Sequence, residues 1–305
     1  MPNTFAEKAT RFMSVLDDIY QADSLTAILE QAGTEFVGTN KVKFPKITLD
    51  GAADYNRDTG YVQGAVAVEY EEHVLAHDRG RKFRIDIIDN DEAAFDLYRS
   101  VMAEYVRTKE IPELDAARFA RMAGNANAHK VAANLTDSTD ALGLWDACEE
   151  YLIDTEVKMA DVVLYVSAAF YRTMKQSEKL SRRLDVTSNN GQVNRGISML
   201  DGQTPVIIVP KSRFYDVINL NDGTTGGETA GGFAPISGTS KAINFMAVPK
   251  TYCKAITKRR ASKIVMPDVN QSADAYDIFY RCHHDLIVPD NKAKGIYVHT
   301  AATAL

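Results

Sequence analysis

Residues 41–88 read KVKFPKITLDGAADYNRDTGYVQGAVAVEYEEHVLAHDRGRKFRIDII, and the fold turns on how this stretch is satisfied. The 41–47 run is extended but interrupted by Pro45, and 49–60 is polar, with the turn residues Asp50-Gly51, Asn56 and Asp58. Residues 61–75 are rich in Val and Tyr and predict a strand, with Val66 and Val68 on one face and Ala65, Ala67 and Glu69 on the other. Asp78-Arg79-Gly80-Arg81 punctuates the chain. Phe83, Ile85 and Ile87 then alternate with Lys82, Arg84 and Asp86, a period of two with one apolar face. The whole resembles a long polar hairpin without a core of its own, and isolated two-stranded hairpins are marginal in water. The expectation is that 41–88 finds its partner on another subunit, which favours a self-assembling protein over a monomeric enzyme.

Working outward, Phe5, Ala9, Phe12, Leu16 and Ile19 recur at three- and four-residue steps and predict an amphipathic helix. Asp23 or Ser24 caps a second helix ending at Gly33. On the other side, Asp89 and Glu92 have the spacing of a capping box, and Phe95, Tyr98, Val101, Met102 and Tyr105 form one stripe. Pro112 lacks an amide proton and predicts a break or kink near Ile111, after which Leu114, Ala117, Phe119 and Met122 continue to Gly124. A helix is expected over 139–153, carrying Leu142, Trp145, Cys148 and Leu152, then a buried strand over 162–166. Ser167 caps a short helix through Met174. Strands follow at 205–209 and 242–248. Between them, 221–238 holds Gly223, Gly226, Gly227, Gly231 and Gly232 and reads as a flexible surface loop. The chain closes on a strand over 275–288, a turn at Pro289-Asp290-Asn291 and a strand over 295–299.

Composition narrows the function. With 305 residues, 45% of them hydrophobic and 25% charged, the chain can bury a sizeable core, as one body with excursions or as two domains. Lys plus Arg (35) against Asp plus Glu (41) gives −6, so no global positive field draws it to nucleic acid or anionic lipid. Cys148, Cys253 and Cys282 are odd in number and form no C-x-x-C pair, arguing for buried reduced thiols over a disulfide framework or a zinc site. No stretch approaches the ~20 apolar residues of a membrane helix, which fits a cytosol-like compartment.

Catalytic patterns fare poorly. The glycine cluster lacks the lysine of a P-loop, since none lies between Lys211 and Lys241. His73 and His77 stand four apart on strand-like sequence, where alternate side chains diverge, so they do not make the helical zinc pair. His283 and His284 would face opposite sides of a strand, and no G-x-S-x-G elbow exists. Neither a cofactor nor a metal is expected. Lys258-Arg259-Arg260 reads as a solvated basic cluster.

Four ordered blocks then resemble the major capsid proteins of tailed bacteriophages, the Hong Kong 97-type family. They are Val42-Lys43-Phe44-Pro45-Lys46-Ile47 leading to Asp54-Tyr55-Asn56-Arg57 and Gly60-Tyr61; Asp78-Arg79-Gly80-Arg81 with Phe83 and the Asp89-to-Glu92 cap; Leu164-Tyr165-Val166-Ser167; and His284-Asp285-Leu286 followed by Asp290-Asn291-Lys292 and Gly295-Ile296-Tyr297. The resemblance implies an α+β chain with an N-arm (1–40), an extended E-loop hairpin (41–88) and a peripheral domain with a long spine helix (89–135). An axial domain (136–240) and return strands of the peripheral domain (241–305) complete it. It implies no enzymatic activity, but self-assembly into pentamers and hexamers of an icosahedral phage head that encloses double-stranded DNA without reading its sequence. Scaffolding, portal or decoration proteins are the other expected partners, and the virion, assembled in the host cytoplasm, the expected location. An encapsulin-like nanocompartment around a cargo enzyme is the alternative. Asp54, Tyr55, Arg57, Tyr61, Arg79 and Arg81 are the candidate assembly contacts.

Overall fold

The computed structural model describes residues 24–30, 36–37, 41–92, 97–136, 139–177 and 197–305. The helix expected around Phe5 to Ile19 lies outside them. The second expected helix does not form: 24–30 makes one 3-10 turn, Ala27–Leu29, and its start is pinned to the body instead of capped by Ser24. The buried Asp115 carboxylate accepts the backbone N–H of Leu25 (3.1 Å) and Thr26 (3.2 Å) and the hydroxyls of Ser24 (2.9 Å) and Thr26 (2.6 Å). A carboxylate buried so deeply needs such donors, and they override the local helical pattern.

Next come β1 (Phe36–Val37), β2 (Lys41–Leu49) and β3 (Val66–Val74), which form a three-stranded antiparallel sheet in that order. The strand predicted from residue 61 thus begins at Val66. Pro45 is absorbed within β2, opposite Tyr70, because β1 covers the outer edge only at Lys41 and Val42 and that edge needs no further donor.

The strand β4 (His77–Asp86) corrects the expected extent of the hairpin. It does not continue the ribbon: it pairs over ten residues with β13 (below), within its own molecule. Of the 41–88 stretch, only the part up to about residue 75 stands apart.

A helical rod follows. Its first segment, α1 (Ile87–Glu92), is capped by Asp86, whose Oδ1 accepts the Ile88 N–H at 2.9 Å, and not by Asp89, which lies inside the first turn. After α2 (Leu97–Tyr105) the expected break at Pro112 is replaced by a π-turn, Val106–Glu110, closed by Ile111 N–H on the Val106 carbonyl. The chain stays helical into α3 (Ile111–Gly124), with Pro112 in its first turn. A widened turn shifts the hydrogen-bond ladder, so the missing donor of Pro112 costs little there.

Beyond β5 (His129–Ala132), α4 (Ala141–Asp154) is capped by Asp140, which accepts the Gly143 N–H. It leads to β6 (Val162–Ser167) and α5 (Ala168–Gln176), where Ser167 Oγ accepts the Phe170 N–H as expected. After β7 (Met199–Leu200) and β8 (Thr204–Val209), the pair β9 (Ile218–Leu220) and β10 (Phe233–Pro235) brackets the glycine-rich loop. The last strands are β11 (Ile243–Pro249), β12 (Lys254–Val265), β13 (Ala275–Ile287) and β14 (Tyr297–Thr300).

Two sheets organise the body. A six-stranded sheet runs β5-β14-β11-β6-β8-β7. Every residue of β6 and β11 is buried, as befits strands covered on both faces. On one side Val162, Leu164 and Val166 meet Trp145, Cys148 and Phe170; on the other Val163 and Tyr165 meet Phe119, Met122 and Leu29. The second sheet, β12-β13-β4, packs Ile85, Ile278 and Tyr280 onto Met102, Val106, Ile111 and Leu114 of the rod.

The expected partition at residue 241 therefore fails for two strands. β11 returns to the centre of the six-stranded sheet beside β6, with β14 on its other side, whereas β12 and β13 join the sheet on the rod. β12 itself was not expected, because the Lys258-Arg259-Arg260 cluster masks it. Among the described residues no helix is long and apolar enough to cross a membrane.

Candidate assembly surface

The hairpin register sorts its side chains. Leu49 lies opposite Val66, Ile47 opposite Val68, Pro45 opposite Tyr70 and Lys43 opposite Glu72, so these residues share one face. Near the body this face is polar, with Lys41 and Lys43 both paired to Glu72. Those cations hold the Glu72 carboxyl below the usual carboxylate range. Farther out it is apolar and uncovered: Ile47 is 59% exposed, Leu49 64%, Val66 67%, Val68 52% and Tyr70 66%.

The opposite face anchors the base. Val42 and Leu75 are buried against Ile256 of β12 and Ile287 of β13, with Phe44 packed beside them. The Lys254 ammonium sits 4.3 Å from the Phe44 ring centroid. The ribbon is thus fixed at one end and solvated along the rest. Each apolar side chain of this size gains about 1.5–3 kcal/mol when fully taken from water, which its own molecule does not provide here.

Four of the candidate contacts meet at the hairpin tip. Asn56 Oδ1 accepts the Asp58 N–H at 2.8 Å, and Asn56 and Gly60 exchange backbone hydrogen bonds of 3.2 and 2.7 Å. Gly60 has φ +81°, which favours glycine at this turn. Closing the turn brings the Tyr55 and Tyr61 rings edge to face at 4.9 Å, with Asp54 and Arg57 exposed alongside. The neck is tied by Asp50, whose Oδ2 accepts the Ala65 N–H at 2.7 Å.

Arg79 and Arg81 are elsewhere, on β4, and their own chain engages both. Arg79 Nε donates to Glu113 at 2.6 Å and Nη2 to the Gly232 carbonyl at 3.3 Å; Arg81 Nη2 donates to the Thr229 carbonyl at 3.3 Å. Between them, a Cβ on Gly80 would come within 2.8 Å of the Tyr280 carbonyl oxygen, so glycine permits the close approach of β4 to β13. The glycine-rich loop that these arginines hold is itself ordered. Asp222 accepts the N–H of Thr224 (2.7 Å) and Thr225 (2.8 Å), and Glu228 accepts Asn219 Nδ2 at 2.6 Å. The Thr225 hydroxyl, with the N–H groups of Thr224 and Thr225, pulls the Asp222 carboxyl well below its ordinary value. The loop, β4 and the π-turn enclose an open cleft of about 1000 Å³.

The histidines expected to be structural are buried: His283 and His284 are both nearly inaccessible. His73 pairs with Glu71 at 2.7 Å, while His77 faces His284 across the β4–β13 ladder, so the two do not converge. Burial pushes all three cysteine thiols up, keeping them protonated. The apolar hairpin face is not among the candidate contact residues singled out in the sequence. Its signal was present in the alternation of 45–49 and 66–70, but only the cross-strand register places the two sets together.

No family model and no curated protein sequence matches the chain. Solved structures do. The chain is similar to one in the capsid structure of the cyanophage P-SCSP1u, at 12% identity and a TM-score of 0.64, over 92% of this chain and 89% of that one. It is similar to one in the mature capsid of bacteriophage PhiM1, at 13% identity and TM-score 0.58, over 86% and 82%. It is also similar to a virus-like particle chain from Pyrococcus furiosus, at 10% identity and TM-score 0.55, over 96% and 99%. An anchored hairpin with an uncovered apolar face, on a mixed α+β body superposable over nearly its whole length on these shell subunits, gives this chain the phage capsid fold that its sequence resembles.

Proposed function

We infer that the chain is the major capsid protein of a phage head: it assembles into pentamers and hexamers, and these close an icosahedral shell around double-stranded DNA. The observation that carries this reading is the exposed apolar face Ile47, Leu49, Val66, Val68 and Tyr70, held out from the body on a ribbon anchored by Val42 and Leu75. A neighbouring copy covers it, and each copy covers the next, so a modest contact recurs around a ring and across the shell. The role is structural, without turnover. The net charge of −6 keeps the wall from adsorbing packed phosphate tightly, since each neutralised phosphate would release counterions and bind DNA to it. The shell forms in the host cytoplasm and persists in the virion, where portal, scaffolding and decoration proteins are its further partners.

Electron microscopy of the purified full chain tests this. Rings or closed shells are expected for the parent, and Val68→Asp should leave a folded but unassembled protein. A parent that stays monomeric under all assembly conditions, or Val68→Asp shells indistinguishable from the parent's, would overturn the reading. Particles filled with a cargo enzyme instead of DNA would replace it with the nanocompartment.

A further inference from the structure

The hairpin meets the body at a two-residue joint, Leu75 and Ala76, between β3 and β4. Asp285 fastens this joint: its Oδ2 accepts the Ala76 N–H at 2.9 Å while Oδ1 accepts the Leu286 N–H at 2.8 Å. His77 and His284 form the last rung of the β4–β13 ladder beside it, with ring centroids 5.6 Å apart. His284 is 4% exposed, and its Nδ1 has no hydrogen-bond partner among the described residues. His77 Nε2 lies 3.9 Å from Asp285 Oδ1.

We propose that His77, His284 and Asp285 form an acid-sensitive latch that holds the hairpin at its base and releases it when the two imidazoles take up protons. The inference rests on the hairpin being the assembly element. At neutral pH both rings are uncharged and Asp285 is free to hold Ala76. In acid, two cations would face each other at the rung, in a site already crowded with positive charge. His284 is faced by Arg118 from α3, Arg260 from β12 and His283 from β13; His77 is faced by Arg121 from α3 and Arg79 from β4. Asp285 and Glu113 oppose the charge at His77, while Arg118 and Arg260 are themselves paired with Glu30 and Glu110. Like charges at such close range repel. The rung opens, the Ala76 hydrogen bond is lost, and the ribbon is free to reorient about 75–77. Burial and these arginines already hold both imidazoles below their ordinary pKa, so the latch stays closed at neutrality.

Hydrogen exchange at residues 74–77 of the full chain, corrected for the intrinsic rate at each pH, reads the joint. Protection in the parent should fall severalfold between pH 7.5 and 4.5, as the opened joint takes up protons that the closed one does not. His77→Gln and His284→Gln should each retain protection at pH 4.5. His77 is partly solvated, so its variant remains informative if His284→Gln misfolds by circular dichroism. Acid-insensitive protection in the parent, or an equal fall in a folded variant, would overturn the latch. Shells that form at pH 7.5 from protein with an acid-insensitive joint would remove the latch alone; an acid-sensitive joint without shells would remove the shell reading alone.

Discussion

The strands β3 and β4 are separated by two residues, and both alternate in polarity, yet their side chains meet opposite fates. On β3, Val66, Val68 and Tyr70 are left in water; on β4, Ile85 is buried against Ile278 and the rod, and Arg84 holds the nearly inaccessible Asp277 at 2.7 Å. Alternation alone says that a strand has an apolar face, not which molecule covers it. What separates the two is the partner. β4 has thirteen-residue β13 beside it, whereas among the described residues distal β3 pairs with β2 alone, whose outer edge β1 covers at Lys41 and Val42.

This contrast is broken most directly by excising 47–68 and joining Lys46 to Glu69, which are cross-strand partners, through Asn-Gly. Assembly should disappear in electron micrographs, while urea unfolding of the body changes by no more than about 1 kcal/mol. In the body itself, Asp115→Ala should cost about 3–5 kcal/mol in the same measurement, because Arg213 loses a buried partner at 3.2 Å and four donors of 24–26 are orphaned. The matched pair Leu114→Ala and Val68→Ala sharpens the comparison further. The first should lose about 2–5 kcal/mol to a cavity under the sheet, the second about 0.5 kcal/mol or less, with its effect appearing in assembly yield. Gly80→Ala should destabilise by about 1–3 kcal/mol, as the new methyl group meets the Tyr280 carbonyl. An equal loss from Leu114→Ala and Val68→Ala would show that the ribbon belongs to the monomer core.

The smallest effect is in pH. Native His77 and His284 bind protons less readily than in the unfolded chain, so below the ordinary value of 6.5 the unfolded state holds more protons. Stability contributed by their neutral forms is therefore complete above pH 6.5 and is lost as pH falls through it. Buried Glu110 works in the other sense, since burial raises its carboxyl and favours the protonated native form in acid. Comparing unfolding of the parent and His284→Gln isolates the histidine part: the variant should show the shallower decline between pH 6.5 and 5.

Much of the architecture was legible. Ser167 and β6 follow from a cap and a continuous apolar run, β13 is expected over 275–288, and the ribbon's lack of a core is visible in its polar sequence. What escaped was set by contacts distant in sequence. β12 hides behind Lys258, Arg259 and Arg260 because a bulge between Thr257 and Arg259 shifts the alternation, and because Arg260 turns inward to Glu110. The extent of the hairpin was overstated because nothing local tells β4 that its partner lies some two hundred residues on. The π-turn left no mark beyond Pro112, and the 3-10 turn near the start answers to Asp115 on another element. At the candidate site, the sequence offers Tyr55 and Tyr61 singly, and their ring contact and the apolar face both depend on the pairing of two strands.

Pro45 carries one more consequence. A long ribbon with an open side is a template on which further strands can stack. A residue unable to donate, placed midway along that side, interrupts the template while leaving the broad face of the ribbon untouched. Stacking along the edge is thereby opposed separately from the proposed contact through the face.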